Sequence, residues 1–365
     1  LLIKEKIKMV HYTLPILNNF KKKQKNKSTA LIILKNNRGM QVALTNYGAR
    51  IVSIIVPDKN GVSTDVVLGF NSIDKYFAAD EIYHGATIGR YGNRISNGRF
   101  ILNYTAYSIA PNNGCNALHG GKTGFHSQIW DRRLNNPNQV TFYYVSPDGE
   151  EGFPGTLNTS VSYLLTDNNE IEISYQATTD KDTIINLTNH AYFNLDGEGK
   201  GDVLDHIVEL KSDHYIPIND QQIPTGQIST VADTPFDFRK AKVIVKDIFK
   251  KDTQLESGGG GYDHTFVIMP NLCDGKQVVA TAYSNKSGIK LEVLTTEPGI
   301  QFYTGNALTG KDIGKTGAHY FKQHAFCFET QHFPDSPNHP NFPSTHLKAN
   351  ETYKSQTTYR FDVIK

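Results

Sequence analysis

The sequence predicts an all-β protein, a large antiparallel β-sandwich with few short helices, and three observations predict it. Short runs rich in β-branched and aromatic residues recur from about Ala30 to the C-terminus. Each run is bounded by Gly, Pro, Asn or Asp, residues that end strands and turn the chain. No long helical pattern recurs between the runs, so the alternation expected of a doubly wound α/β fold is missing.

In chain order the runs are MQVALTNYGARIVSIIVP (40–57), TDVVLGF (64–70), QVTFYYVS (139–146), LNTSVSYLLT (157–166), EIEISYQATT (170–179) and KLEVLTT (290–296). Their Val, Ile, Thr, Tyr and Phe content suits a pleated, half-buried surface. The best helical stretches, SIDKYFAAD (72–80) and VKDIF (245–249), are short and read as connections. The stretch NLTNHAYFNLDG (186–197) alternates as a strand would: Leu187, Ala191, Phe193 and Leu195 fall on one side, and Asn186, Thr188, His190, Tyr192 and Asn194 on the other. A solvated sheet face usually carries Lys, Glu and Thr. This one carries amides, a phenol, a hydroxyl and an imidazole, which make directional hydrogen bonds to uncharged ligands. The pattern predicts a site for a molecule rich in hydroxyls.

No Pro/Ser-rich linker divides the body, and SGGGG (257–261) runs directly into YDHTF, so residues 28–365 read as one domain after a basic, flexible lead over residues 1–27. That lead holds eight Lys and one Glu, a net +7, which leaves −5 for the rest of a chain of formal charge +2. A mildly acidic body argues against nucleic-acid binding, which wants a basic stripe on the folded domain. Met9 is a candidate natural start, and the residues before it are not expected to belong to the fold. No apolar run approaches the ~20 residues of a membrane-spanning helix. Cys115, Cys273 and Cys327 are far apart with no C-x-x-C pair, which suggests neither a disulfide framework nor a cysteine zinc site and fits a cytoplasmic setting.

Two local motifs fail. HGGKT (119–123) would need Gly at 116 to make a phosphate loop, and Asn116 stands there. GEGKG (197–201) lacks the strand-then-helix context of a dinucleotide site and reads as a turn. The thirteen histidines include no H-x-H or H-E-x-x-H spacing, so no metal is expected. His84, His206, His214 and His332 read as structural or surface residues.

Six segments, in this order along the chain, resemble the aldose 1-epimerase (galactose mutarotase) family: GRYGNRI (89–95), NALHGGKTGF (116–125), NLTNHAYFNLDG (186–197), GGYDHTFV (260–267), TEPGIQFYTGN (296–306) and FETQHFPDSPN (328–338). Gly92 and Thr265 depart from the residues expected there, Ala and Asn. The resemblance implies a supersandwich with an open polar cleft on one sheet, interconversion of the α and β anomers of free aldohexoses such as galactose and glucose, and no cofactor. It further implies Glu329 as the base and His190 as the acid, with Arg94, His119, Asp263, Gln301 and Asn93 binding a monosaccharide. The oligomeric state is left at monomer or homodimer.

The residues agree with that chemistry. Exchange of anomers needs a base on the anomeric hydroxyl and an acid on the ring oxygen. Glu329 ends the apolar run Phe326-Cys327-Phe328, where desolvation raises its basicity, and a carboxylate near His190 favours the imidazolium, so the competent state expected at neutral pH is an ionised Glu329 facing a protonated His190. An aromatic platform under the sugar is expected among Trp130, Tyr192, Phe302 and Tyr303. Three other readings compete. A binding protein would lack the acid–base pair. A phosphosugar epimerase would want more cleft cations than Arg94, with Arg90 and Lys122 the other candidates. A glycosidase needs two carboxylates at a set separation, for which Glu329 and Asp263 are the candidates.

Overall fold

The computed structural model describes residues 12–24 and 26–364, so Met9 and the first part of the lead lie outside the described residues. The expected all-β class is found. A nine-stranded antiparallel sheet runs in the order Asp131–Asn136, Gln139–Ser146, Leu157–Leu165, Glu170–Thr179, Thr352–Val363, Ile289–Thr295, Val278–Tyr283, Ile207–Leu210, Lys242–Val243. A five-stranded sheet is ordered Ser229–Thr230, His214–Tyr215, Asp263–Val267, Gly299–Tyr303, Cys327–Gln331. A four-stranded sheet holds Leu31–Lys35, Gln41–Thr45, Arg50–Pro57 and Ser63–Asp65. One apolar core joins them. Val161, Ile173 and Leu291 of the first sheet belong to the same buried cluster as Phe266, Ile300, Phe302 and Phe328 of the second and Val42, Ile51 and Ile54 of the third. That is the layered packing a sandwich requires.

The two expected helices are present as single turns, Ile73–Phe77 and Val245–Ile248. A third, Thr253–Ser257, was not expected. Asp252 caps it by accepting from the N–H groups of Gln254 and Leu255, and the glycines that follow end it. No helix among the described residues is long and apolar enough to cross a membrane. In the described part of the lead, Leu17–Phe20 forms a 3₁₀ turn that buries Phe20, and Lys23–Gln24 pairs with Lys27–Ser28.

The strand expected over residues 186–197 is mostly irregular. Only Thr188–Asn189 is a regular strand, paired with Thr87–Ile88, and residues 183–195 are buried on both sides. Its backbone changes partners as it goes, bonding to Arg90 and Gly92 at Asn186, to Gly85 and Ala86 at His190, to Leu68 at Tyr192 and to Phe326 at Phe193. Such a path leaves neighbouring carbonyls without ladder partners, and buried backbone groups must be satisfied somehow. The asparagines do this. Asn186 donates to the carbonyls of Gly92 and His332 and Asn194 to those of Gly201 and His324, while Asn189 adds a second bond to the Gly85 carbonyl, which already accepts from the N–H of Ile51. The face expected to carry ligand groups is therefore largely structural, and only His190 and Tyr192 of this segment reach the cleft.

The loop carrying Tyr83 is held from inside. The guanidinium of Arg50, fully buried, donates to the carbonyls of Tyr47, Ile82, His84 and His126. Four carbonyls satisfied by one planar cation fix the turn that brings Tyr83 to the cleft.

Candidate active site

The alternation of strands builds the site. On Asp263–Val267, Gly299–Tyr303 and Cys327–Gln331, the side chains of Phe266, Phe302 and Phe328 turn into the core, while Asp263, Thr265, Gln301, Tyr303, Cys327 and Glu329 share the opposite face. The antiparallel register aligns these six in two rows, Asp263–Tyr303–Cys327 and Thr265–Gln301–Glu329. Residues far apart in the chain are brought side by side.

Over this face lies a cleft of about 520 Å³. Of the residues predicted from sequence, Asn93, Arg94, His119, His190, Asp263 and Glu329 line it. Gln301 does not. Its Nε2 donates to Asp263 Oδ1 at 2.6 Å and its Oε1 accepts from Thr265, so it supports Asp263 from beneath. Among the aromatic candidates Tyr192 and Tyr303 line the cleft, whereas Trp130 and Phe302 are fully buried in the core. A wider groove of about 890 Å³ on the nine-stranded sheet has no histidine or carboxylate in its lining and so offers no acid–base pair.

Glu329 and His190 meet at the floor of the cleft, Oε2 to Nε2, at 3.6 Å, both almost wholly buried. The imidazole is stacked between Tyr192 and Tyr83, at 4.9 and 5.9 Å between ring centroids, and Nδ1 lies 3.6 Å from Cys327 Sγ. Glu329 Oε2 has no hydrogen-bond partner. The charged pair expected as the competent state is not the one that burial favours. Burial, with the neighbouring carboxyls of Asp263 and Glu81, holds Glu329 well above 4.5 against the pull of Arg94, and burial with nearby His84 pushes His190 down to about 3. The physical reason is that few hydrogen bonds replace the lost water, so each group is cheaper neutral than charged.

Around the pair, Arg94 Nε donates to Asn113 Oδ1 at 3.1 Å, and Nη2 donates to Gln222 Oε1. The amide of Gln222 in turn donates to Asp263 Oδ2 at 2.9 Å, bridging two groups whose own charges approach only to 4.0 Å. Burial raises Asp263, while Arg94, Gln301 and Gln222 draw it back down. Asn93 and His119 hold each other. The N–H of Asn93 donates to His119 Nδ1 at 3.1 Å, and the N–H of His119 to the Asn93 carbonyl at 3.0 Å.

His119, His190 and Glu329 have ligand atoms within 4.8 Å of one another, close enough to be considered as a metal site. The tautomer of His119 argues against it. Its Nδ1 accepts a hydrogen bond, so the neutral ring, which burial and the nearby His190 and Arg94 favour, carries its proton on Nε2 and has no lone pair to offer the cleft. That leaves Nε2–H as a donor on a residue that lines the cleft.

Sequence reasoning missed Glu81, Tyr83 and Gln222, which also line the cleft. The polar and aromatic stretch Glu81-Ile82-Tyr83-His84, just ahead of GRYGNRI, was a usable signal. Gln222 gave none, since it lies in an irregular loop at a positive φ of 60°.

Residues 30–360 match the family model described as aldose 1-epimerase. Galactose mutarotase of Bos taurus is 42% identical over 324 residues, 89% of this chain and 92% of that protein. Aldose 1-epimerase of Escherichia coli K12 is 40% identical over 333 residues, 91% of this chain and 94% of that protein. A crystal structure of an aldose epimerase homologue from C. elegans superposes with a TM-score of 0.85 at 33% identity, covering 92% of this chain and all of that one. With this likeness along nearly its whole length, and with the family's motif residues gathered around one cleft, the chain belongs to the aldose 1-epimerase family.

Proposed function

We propose that the protein interconverts the α and β anomers of free, unphosphorylated aldohexoses, with Glu329 as base and His190 as acid. The single observation that carries this is the 3.6 Å approach of a buried imidazole and a buried carboxyl at the floor of a polar cleft, in a chain of this family. The lining supports a neutral sugar. It includes five carboxyl side chains, those of Glu81, Asp220, Glu256, Asp263 and Glu329, against the single cation Arg94. Of the two other candidates for a phosphate, Lys122 does not line the cleft, and Arg90 spends its donors on Ser146 and on the carbonyls of Ser146, Pro147 and Pro154. A lining with so few cations offers a phosphate dianion little, while its carboxyl oxygens accept from hydroxyl donors. The three free thiols are in keeping with a cytoplasmic setting.

In this reading the pair shares one proton. Hydrogen bonds from sugar hydroxyls to Glu329 favour its carboxylate and move the proton to His190 Nε2. Glu329 then takes the proton of the anomeric hydroxyl as the C1–O5 bond breaks, and the imidazolium protonates O5. The products are an open-chain aldehyde, a protonated Glu329 and a neutral His190. Rotation about C1–C2 turns the other carbonyl face to O5. Reclosure runs both transfers backwards and restores the pair. Arg94, His119 and Asn93 hold the sugar hydroxyls, and Asp263 accepts from them, so that C1 and O5 stay against the pair.

The direct test is polarimetry of freshly dissolved α-galactose or α-glucose. The decay of optical rotation should accelerate in proportion to added protein, and a decay at the spontaneous rate would reject the reading. The pH profile follows from the shifts. The one-proton pair is lost at low pH when His190 also binds a proton, and at high pH when the pair gives up its last one. Log kcat/KM should therefore be bell-shaped, with its acid limb well below the ordinary imidazole value of 6.5 and its alkaline limb above the ordinary carboxyl value of 4.5. An acid limb centred at 6.5 would contradict the neutral pair.

Gln301 is proposed to act through Asp263. In Gln301→Leu one Asp263 oxygen loses its donor, and a hydrogen bond to a carboxylate contributes about 1.5–3 kcal/mol. KM should rise about tenfold or more with kcat changed much less. A kcat loss without a KM change would place Gln301 elsewhere in the mechanism.

A further inference from the structure

We infer that Cys327 is a positioning residue for His190: its sulfur accepts the Nδ1–H of the imidazole and so keeps Nε2, the nitrogen facing Glu329, as the one that exchanges protons. The inference rests on the reading of His190 as the acid of the pair. Along the chain Cys327 is one of three unpaired thiols and a member of the apolar run ahead of Glu329, and its part in the site comes from its place on the strand.

Cys327 and Glu329 stand two positions apart on Cys327–Gln331 and so point to the same face, roughly 6.6 Å apart along the strand. The imidazole of His190 spans them, with Nδ1 3.6 Å from Sγ and Nε2 3.6 Å from Oε2. One strand thus touches both ring nitrogens. The groups that face this ring from the other elements are Tyr83, His84, His119, Tyr192 and Tyr303. None of them is hydrogen-bonded to Nδ1. Among the described residues its side-chain partner is Cys327, and the ring's own backbone also favours the protonated form.

The polarity of the contact follows from what the pair must do. In either arrangement of the shared proton, on Glu329 or on Nε2, the ring keeps a proton on Nδ1. A thiol donating into Nδ1 would instead put the resting proton on Nε2, and Nε2 could then accept nothing from Glu329. The sulfur is fully buried, and burial keeps it a neutral thiol. It therefore orients the ring without adding a negative charge behind it. A carboxylate in that place would stabilise the imidazolium and make it a poorer acid. A neutral, weak acceptor fixes the tautomer and leaves the imidazolium acidic enough to protonate a ring oxygen.

The test is long-range ¹H–¹⁵N spectroscopy of the full chain labelled at histidine, with the His190 signals identified by their loss in His190→Asn. The wild-type protein at neutral pH should show the Nδ1–H tautomer at His190. Cys327→Ala should move the ring toward the Nε2–H tautomer and lower kcat about tenfold, the size of one lost neutral hydrogen bond. Cys327→Ser, close in shape and again an acceptor, should restore both. An Nε2–H tautomer in the wild type, or an unchanged Nδ1–H tautomer in Cys327→Ala, would overturn the proposal. The spectrum needs no turnover, so a protein that shows the Nδ1–H tautomer yet leaves polarimetric decay unaltered would refute the proposed activity and not the role of Cys327 toward the ring.

Discussion

Glu329→Gln should lower kcat by at least about 10²-fold, the smaller end of what a positioned proton-transfer group contributes. Glutamine keeps the length and planarity of the side chain on the same strand position but cannot take a proton from the anomeric hydroxyl. The fold should not suffer. Among the described residues Glu329 makes no ion pair with Lys or Arg and its Oε2 has no hydrogen-bond partner, and Asp263 and Glu81 oppose its charge. A carboxyl held above its ordinary value stabilises the folded state fully below pH 4.5 and loses that contribution as the pH rises from there. The amide has no such loss. At neutral pH the variant is therefore expected to melt no lower than the wild type while turning over at least about 10²-fold more slowly. Polarimetric kcat and a thermal melt at the same pH check both halves, and near-normal turnover would remove Glu329 from its role.

His190→Asn should lower kcat by a similar factor, at least about 10²-fold, for a different reason. The variant retains a hydrogen-bonding amide but loses the group that delivers a proton to O5. It also empties space between Tyr83 and Tyr192, whose rings flank the imidazole. A stability cost of about 1–3 kcal/mol is expected from that lost packing. The distinguishing measurement is the pH profile of the residual activity. The acid limb belongs to the second protonation of the pair and should vanish with the imidazole, whereas in Glu329→Gln a limb attributable to His190 remains. A His190→Asn variant that keeps both kcat and the acid limb would show that another group donates the proton.

The readings that succeeded from sequence are those whose causes are local. Strand runs bounded by turn residues predicted the class, and the single-turn helices near Ile73 and Val245 appeared where local composition placed them. Six of the seven candidate site residues line one cleft because each sits in a segment resembling a family motif. The seventh, Gln301, lies one layer below, and nothing along the chain distinguishes a side chain that touches ligand from one that holds its neighbour. The segment 186–197 misled for a related reason. Its alternation is real, but an alternating polar face reads the same whether it meets a ligand or a set of unpaired backbone carbonyls, as Asn186 and Asn194 do.

By itself, then, the chain's linear order determined an all-β sandwich and its scarcity of helix, and through the family resemblance it named Glu329 and His190 as the candidate base and acid. Only the tertiary structure decided that Cys327, Tyr303 and Asp263 form one row and Glu329, Gln301 and Thr265 the next, that Gln222 bridges Arg94 to Asp263, and that burial pushes Glu329 up and His190 down where the two meet. Periodicity and turn chemistry act over a few neighbouring residues, whereas register, burial and the energy of a charge are set by groups that only folding brings within a few ångströms of one another.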